Sequence, residues 1–419
     1  MFSPALIITL LFQLHILFAT ANLVHRVDAS AVTLPLARRV NITGAHDLIK
    51  HDKSRVKALR SRLQKTTKTA DIFVVPNIPV TNQAITYTAN VSVGNPAQFF
   101  SLIVDTGSSN TWVGAQDSNS YRFTSTTKFT GDLVQVTYGS GAFLGVEVSD
   151  TVTLAPGLVI PDQSVGVSIL SYGFDDVDGI IGLGPTGLTT GTCTADLAGA
   201  RYIDIHPTIT DNLFNEKIIP ERLVSIYFQP SDAASVQNGE MTFGGIDTTR
   251  NTSDFTWIPI TNASKAGQYW GIDQSVAYGN TTILNITSGI VDTGTTLIYL
   301  STDAYDRYMQ ATNATASDTG LLSLPVTQYS NLQSLFFNAG GTSFELTPNA
   351  QIWPRSLNTL IGGTSDFVYL MIADIGSVSG SGLDFINGYA FLERFYSVYD
   401  STNKRVGLAS TNYTNLEVN

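Results

Sequence analysis

The chain has 419 residues and a formal net charge of −11 at neutral pH, with 34 Asp and Glu against 23 Lys and Arg. That acidic balance argues against nucleic acid as a partner, and a single cysteine leaves no intramolecular disulfide to hold the fold. His206 and Cys193 are the only histidine and cysteine beyond residue 70, too few for an ordinary zinc site, so no metal is expected.

In chain order, residues 1–21 read as a signal peptide. An apolar run from Ala5 to Phe18 precedes the small-x-small stretch Ala19-Thr20-Ala21. No later run approaches about 18 apolar residues, so no membrane anchor is expected and the product is a secreted, extracellular protein. Residues 22–70 carry 11 Lys or Arg against 3 Asp or Glu, whereas residues 71–419 carry 12 against 31. A basic leader on an acidic body docks by electrostatics at neutral pH and is released when acid protonates the body's carboxylates. Within the leader, Ile49, Val56, Leu59 and Leu63 share one face of an expected helix. Removal of this propeptide is expected between Leu63 and Pro79.

Residues 71–419 exceed a typical single core and suggest two lobes, residues 71–230 and 231–419. Short alternating runs such as Val134-Gln135-Val136-Thr137-Tyr138, punctuated by Gly, Asn and Pro, predict an all-β protein. Helices are expected only near Thr208 to Glu216 and after Ser301. The polar, turn-rich stretch Pro230 to Gly239 is the expected lobe boundary. Sequons stand at Asn41, Asn90, Asn251, Asn262, Asn280, Asn285, Asn313 and Asn412 as candidate glycosylation sites.

One phrase occurs twice. Ile103-Val104-Asp105-Thr106-Gly107-Ser108-Ser109 recurs as Ile290-Val291-Asp292-Thr293-Gly294-Thr295-Thr296. Each apolar pair ends a buried strand, and the Asp follows where the strand stops. Gly107 and Gly294 permit a tight turn that brings N–H groups to the carboxylate. Thr106 and Thr293 have hydroxyls that can lock the two loops together, and Ser108 and Thr295 can donate to the outer carboxylate oxygens. A second repeat follows each copy: Val177-Asp178-Gly179-Ile180-Ile181-Gly182 and Leu383-Asp384-Phe385-Ile386-Asn387-Gly388. Two carboxylates brought face to face can share one proton and act as acid and base on one water. A glycosidase would need its carboxyl groups about 5 Å or more apart, against the direct contact that the threonines imply. A Ser-His-Asp site would have to use His206, which has no Gly-x-Ser-x-Gly elbow to serve.

These motifs, with Val136-Thr137-Tyr138-Gly139-Ser140-Gly141 and the block from Gly388 to Asp400, resemble the pepsin family of aspartic proteases, and within it a branch of secreted fungal enzymes. The resemblance covers nearly the whole chain after about Ala70. It implies a bilobal fold of two pseudo-symmetric β-barrel-like lobes with the active site in the cleft, and an endopeptidase made as a zymogen. It assigns Asp105 and Asp292 to the catalytic pair and Tyr138, Gly139 and Ser140 to the flap. Trp112 braces the flap tyrosine, and Ile103, Val177 and Ile180 line the pocket beside the scissile bond. Apolar lining implies a preference for hydrophobic residues, and Ser140 implies weak acceptance of basic ones. No cofactor is implied. Partners would be protein and peptide substrates, the chain's own propeptide and pepstatin-like inhibitors, with the enzyme a monomer. A non-catalytic binding protein of this fold usually lacks an Asp, a Gly or the flap tyrosine, and all are intact here. Two departures from the family pattern stand out. Disulfides are absent, and Asn387 precedes the late Gly388, where it is expected to add a hydrogen bond beneath the second catalytic loop.

Overall fold

The computed structural model describes residues 31–40, 47–61, 85–138, 141–194 and 205–419. The signal peptide, the expected cleavage stretch, Leu63, Asn41, Gly139 and Ser140 lie outside the described residues. Strands dominate. They form a 14-stranded, a 7-stranded and a 3-stranded sheet. Helices occur at Ile209–Asn215 and Thr302–Thr312, where the sequence places them. Thr208 caps the first of these in a capping box with Asp211.

The sequence duplication is a structural duplication. In the first lobe, strand Gln98–Asp105 runs parallel to Gly179–Gly182, with Asp105 level with Gly182. In the second, strand Thr281–Val291 runs parallel to Phe385–Asn387, with Val291 level with Asn387. Trp112–Val113 and Ile298–Leu300 then pair antiparallel to the second strand of each set. Only the last residues before each Asp, Leu102 to Val104 and Gly289 to Val291, are buried on both faces. The repeated acids hold these crossings. Asp178 accepts from the Ser101 N–H at 2.7 Å, and Asp384 accepts from Thr287 Oγ1 and the Ser381 N–H. The repeated glycines permit the crossing: a Cβ on Gly182 would lie 2.4 Å from the Ser109 carbonyl carbon, and one on Gly388 2.2 Å from the Leu297 oxygen.

The leader is part of this architecture. Val32–Val40 is a strand lying between Ser235–Phe243 and Ile85–Val93. Pro35, which has no N–H to give, sits where the strand is paired on one side only; pairing on both sides begins at Ala37. Leu34, Leu36 and Arg38 alternate onto the buried face. Arg38 is fully buried, with Nη1 donating to the carbonyls of Ser231 and Ala233 and Nε paired with Glu393 at 3.2 Å. The stretch expected to mark the lobe boundary forms the turn and second strand of a hairpin, because Ser235–Phe243 pairs with both Leu223–Tyr227 and the leader strand.

Helix Asp47–Ser61 follows in the leader. Leu48, Ile49, Asp52, Arg55, Val56 and Leu59 are its buried residues, spaced at the helical period. The expected apolar face is therefore present at Ile49, Val56 and Leu59, and two charged residues belong to it. The helix is tied to the second lobe by Tyr269, whose hydroxyl donates to the Leu59 carbonyl, and by Arg60, which donates to the carbonyls of Ile375 and Gly376.

Candidate active site

Asp105 and Asp292 end their strands in the same way. The Gly107 N–H donates to Asp105 Oδ1 at 2.9 Å and the Ser108 hydroxyl to Oδ2 at 2.6 Å. The Gly294 N–H donates to Asp292 Oδ1 at 3.0 Å and the Thr295 hydroxyl to Oδ2 at 2.5 Å. Both carboxylates are fully buried.

The threonines between them join the loops. The Thr106 N–H donates to Thr293 Oγ1 at 3.0 Å, and the Thr293 N–H returns the bond to Thr106 Oγ1 at 3.0 Å. Each hydroxyl then donates across the interface, Thr106 to the Val291 carbonyl and Thr293 to the Val104 carbonyl. The exchange fixes one aspartate against the other. A Cβ on Gly107 would stand 2.6 Å from Asp292 Oδ1, and one on Gly294 2.6 Å from Asp105 Oδ1, so neither loop could approach with a side chain there.

The apolar pocket residues also converge. Ile103, Trp112, Tyr138, Val177 and Ile180 share one buried cluster with Val134, Val136, Phe143, Phe174 and Cys193. Trp112 stacks on Phe143 at 4.3 Å and faces the Tyr138 ring at 6.3 Å. Tyr138 follows directly on hairpin strand Lys128–Thr137 and packs into this cluster. Asn387 lies beneath the second loop: its carbonyl accepts from the Asp292 N–H at 3.1 Å, and its amide exchanges two hydrogen bonds with Gln274. Of the sequons, Asn90, Asn262, Asn280, Asn285, Asn313 and Asn412 are exposed, and Asn251 is half-buried.

Two site residues were not legible from the sequence. Arg55 of the leader helix enters the dyad. Its Nη2 donates to Asp105 Oδ1 at 2.5 Å and to Asp292 Oδ1 at 2.8 Å, while Nε donates to Asp292 Oδ2 at 2.9 Å and to Thr295 Oγ1 at 3.1 Å. One turn earlier, Asp52 accepts from the N–H groups of Thr296 and Leu297, immediately beyond the second catalytic loop. The signal available was their position: both charges fall on the apolar face of the helix. Burial pushes the Asp292 carboxyl up, but the Arg55 charge together with the hydrogen bonds from Arg55, Thr295 and Gly294 outweighs it and holds the carboxyl below its ordinary range. Burial works against the Arg55 charge, and Asp105 and Asp292 more than offset it.

Residues 86–411 match the model of the family described as "Eukaryotic aspartyl protease". The chain belongs to this family. This aspartyl protease is 55% identical over 340 residues to polyporopepsin of Irpex lacteus, spanning 81% of the present chain and 98% of that one. It is 31% identical over 372 residues to gastricsin of Cavia porcellus, over 84% and 86% of the two chains. The crystal structure of the aspartic proteinase from Irpex lacteus superposes with a TM-score of 0.78 at 48% identity, covering 93% of this chain and 100% of that one. The protease thus has the all-β, bilobal, pepsin-like fold and is an aspartic endopeptidase. The family match begins at residue 86, downstream of both the leader strand and the helix that carries Arg55. Among the described residues, no helix is long and apolar enough to cross a membrane.

Proposed function

We propose that this endopeptidase is secreted as a zymogen, with residues 22–70 as its propeptide, and that it hydrolyses peptide bonds in acid through Asp105 and Asp292. The observation that carries this reading is the Arg55 guanidinium bonded to both carboxylates. A cation on the dyad takes the place of the water that the reaction needs and favours the ionised form of Asp292, whereas catalysis requires one proton on the pair. The same contact therefore removes nucleophile and acid together.

Once Arg55 leaves, two buried carboxylates of like charge face each other and take up a shared proton. The ionised member accepts a proton from a water lying between them, and that water attacks the scissile carbonyl. The protonated member donates to the carbonyl oxygen, and the proton taken from water passes to the departing amine. Gly107 and Gly294 hold the carboxylates by their N–H groups, and Tyr138, with Gly139 and Ser140, closes over the substrate and excludes water. Trp112 braces Tyr138. Ile103, Val177 and Ile180 favour a hydrophobic side chain beside the scissile bond, and Ser140 offers no charge to a basic one. The exposed sequons are the sites at which glycans would be carried.

The test is cleavage of an unstructured protein in acid by the wild-type chain and by the Asp105→Asn and Asp292→Asn variants. Each substitution should remove at least a thousandfold of the rate, about 4 kcal/mol of barrier. Full activity in either variant would overturn the assignment.

A further inference from the structure

One cluster of chemically reactive side chains lies outside the cleft. Glu147, on the hairpin strand Ala142–Ala155, meets Cys193, on Cys193–Thr194, and His206, just before helix Ile209–Asn215. One carboxylate oxygen, the Sγ and one ring nitrogen lie within 4.8 Å of one another, and His206 Nδ1 is 3.9 Å from Glu147 Oε1. With one cysteine and one histidine in the body, no metal site was legible in the sequence. The fold supplies what spacing does not, by drawing together three residues from three separate elements.

We propose that Glu147, Cys193 and His206 form a binding site for a borderline-soft divalent cation of the zinc class. Thiolate, imidazole and carboxylate are the ligand types such an ion takes. Ligand atoms about 2.0–2.3 Å from a tetrahedral zinc stand roughly 3.3–3.8 Å from one another, so the His206–Glu147 pair is close to ligating geometry as it stands. Small rotations of the side chains bring in Sγ.

Three observations support the assignment. His206 Nδ1, 3.9 Å from Glu147 Oε1, is the ring nitrogen turned toward the carboxylate. The backbone around the imidazole is fixed, since the His206 N–H donates to Thr189 Oγ1 and the Thr189 hydroxyl donates to the His206 carbonyl. The Cys193 side chain is buried, so an ion held there would be shielded from water. Glu147 already accepts a hydrogen bond from Ser164 Oγ, which orients the carboxylate as an outer partner of a metal ligand would.

A cation here would tie the flap hairpin to its neighbours. Strand Lys128–Thr137, which leads to Tyr138, pairs with Cys193–Thr194 through Val134 and Cys193. It also pairs with the strand that carries Glu147. The Cys193 side chain belongs to the same apolar cluster as Tyr138. Binding releases the thiol proton, so occupancy should rise with pH.

The test uses cadmium and zinc on the full chain, stripped of metal, at neutral pH. Cadmium should bind one to one and develop a cadmium–thiolate charge-transfer absorption, which can come only from Cys193, the chain's single cysteine. Zinc should slow modification of that thiol. His206→Asn and Cys193→Ser should each weaken zinc binding by about tenfold or more, and His206→Asn should leave peptide hydrolysis in metal-free buffer unchanged. The cadmium readout on the wild-type chain does not depend on any variant folding. No thiolate absorption at stoichiometric cadmium, or equal zinc affinity in wild type and both variants, would overturn the proposal.

Discussion

Arg55 Nη2 lies 2.5 Å from Asp105 Oδ1 and 2.8 Å from Asp292 Oδ1, so one guanidinium nitrogen serves both carboxylates. The arrangement needs the planar fork of arginine. With Nη2 shared, Nε is left to reach Asp292 Oδ2 and Thr295 Oγ1. Asp292, held below its ordinary range by this charge, stabilises the docked leader at neutral pH. That contribution is present above the free-carboxylate pKa of about 3.9 and is lost as pH falls through the depressed value of the docked state.

Removing the guanidinium should therefore favour release. Taking one partner from a buried ion pair costs about 3–5 kcal/mol, and here the cost falls on the closed form alone. Arg55→Ala should lose its leader at a pH higher than wild type by about one unit or more. Arg55→Lys, a point charge without the fork, should fall between. Gel mobility against pH, with the protein at low concentration, reads this directly. An Arg55→Ala chain that keeps its leader down to the wild-type pH would contradict the role.

A second pairing gives a different pH dependence. Glu393 is fully buried beside Arg38, and burial pushes its carboxyl up to about 7, with the Arg38 charge opposing the shift. The folded state holds this proton more tightly than an unfolded chain does. Stability from Glu393 is therefore greatest in acid and declines as pH rises from about 4.5 to about 7. Glu393→Gln should flatten that decline by about 2–3 kcal/mol. Urea midpoints measured across this range on the Asp292→Asn chain, which cannot digest itself, would check it. An unchanged slope would place the titrating group elsewhere.

Asn387 and Gln274 exchange two amide hydrogen bonds directly beneath the loop that carries Asp292. Asn387→Leu keeps the volume but leaves the Gln274 amide buried and unpaired, at a cost of about 1–3 kcal/mol. The Asn387 backbone carbonyl that accepts from the Asp292 N–H is kept, so the second loop is disturbed only through movement of the strand beneath it. The expected outcome is a lower kcat with KM little changed, together with a lower thermal midpoint. A Gln274→Leu, Asn387→Leu double variant should recover part of the lost thermal stability, because it removes the unpaired amide; losses that simply add would show that the two residues act independently.

The dyad loops were legible because every bond they make is written in a few contiguous residues. Asp105, Thr106, Gly107 and Ser108 supply their own donors, and the repeat at Asp292 announces the partner. The motif around Asp178 and Asp384 was legible as a repeat, but the crossings it holds were not, because the partners Ser101 and Thr287 lie 77 and 97 residues away. Arg55 was not, since a lysine- and arginine-rich leader offers many cations and only docking selects one. The charge contrast between leader and body indicated that the two associate, but not which contact matters. Arg38 reads as an ordinary basic residue until strand pairing turns it inward onto Glu393. The Glu147, Cys193 and His206 cluster is spread over three elements and has no sequence spacing that marks it.

The most direct test of the account is to take the purified chain to about pH 4, where a shared-proton dyad exists. Chain mass and cleavage of an unstructured protein are then followed with and without pepstatin. The account predicts loss of the leader that contains Arg55 and the onset of proteolysis, with proteolysis blocked by pepstatin. A chain that loses its leader and stays folded, yet cleaves nothing, or that cleaves equally well with pepstatin present, would contradict it.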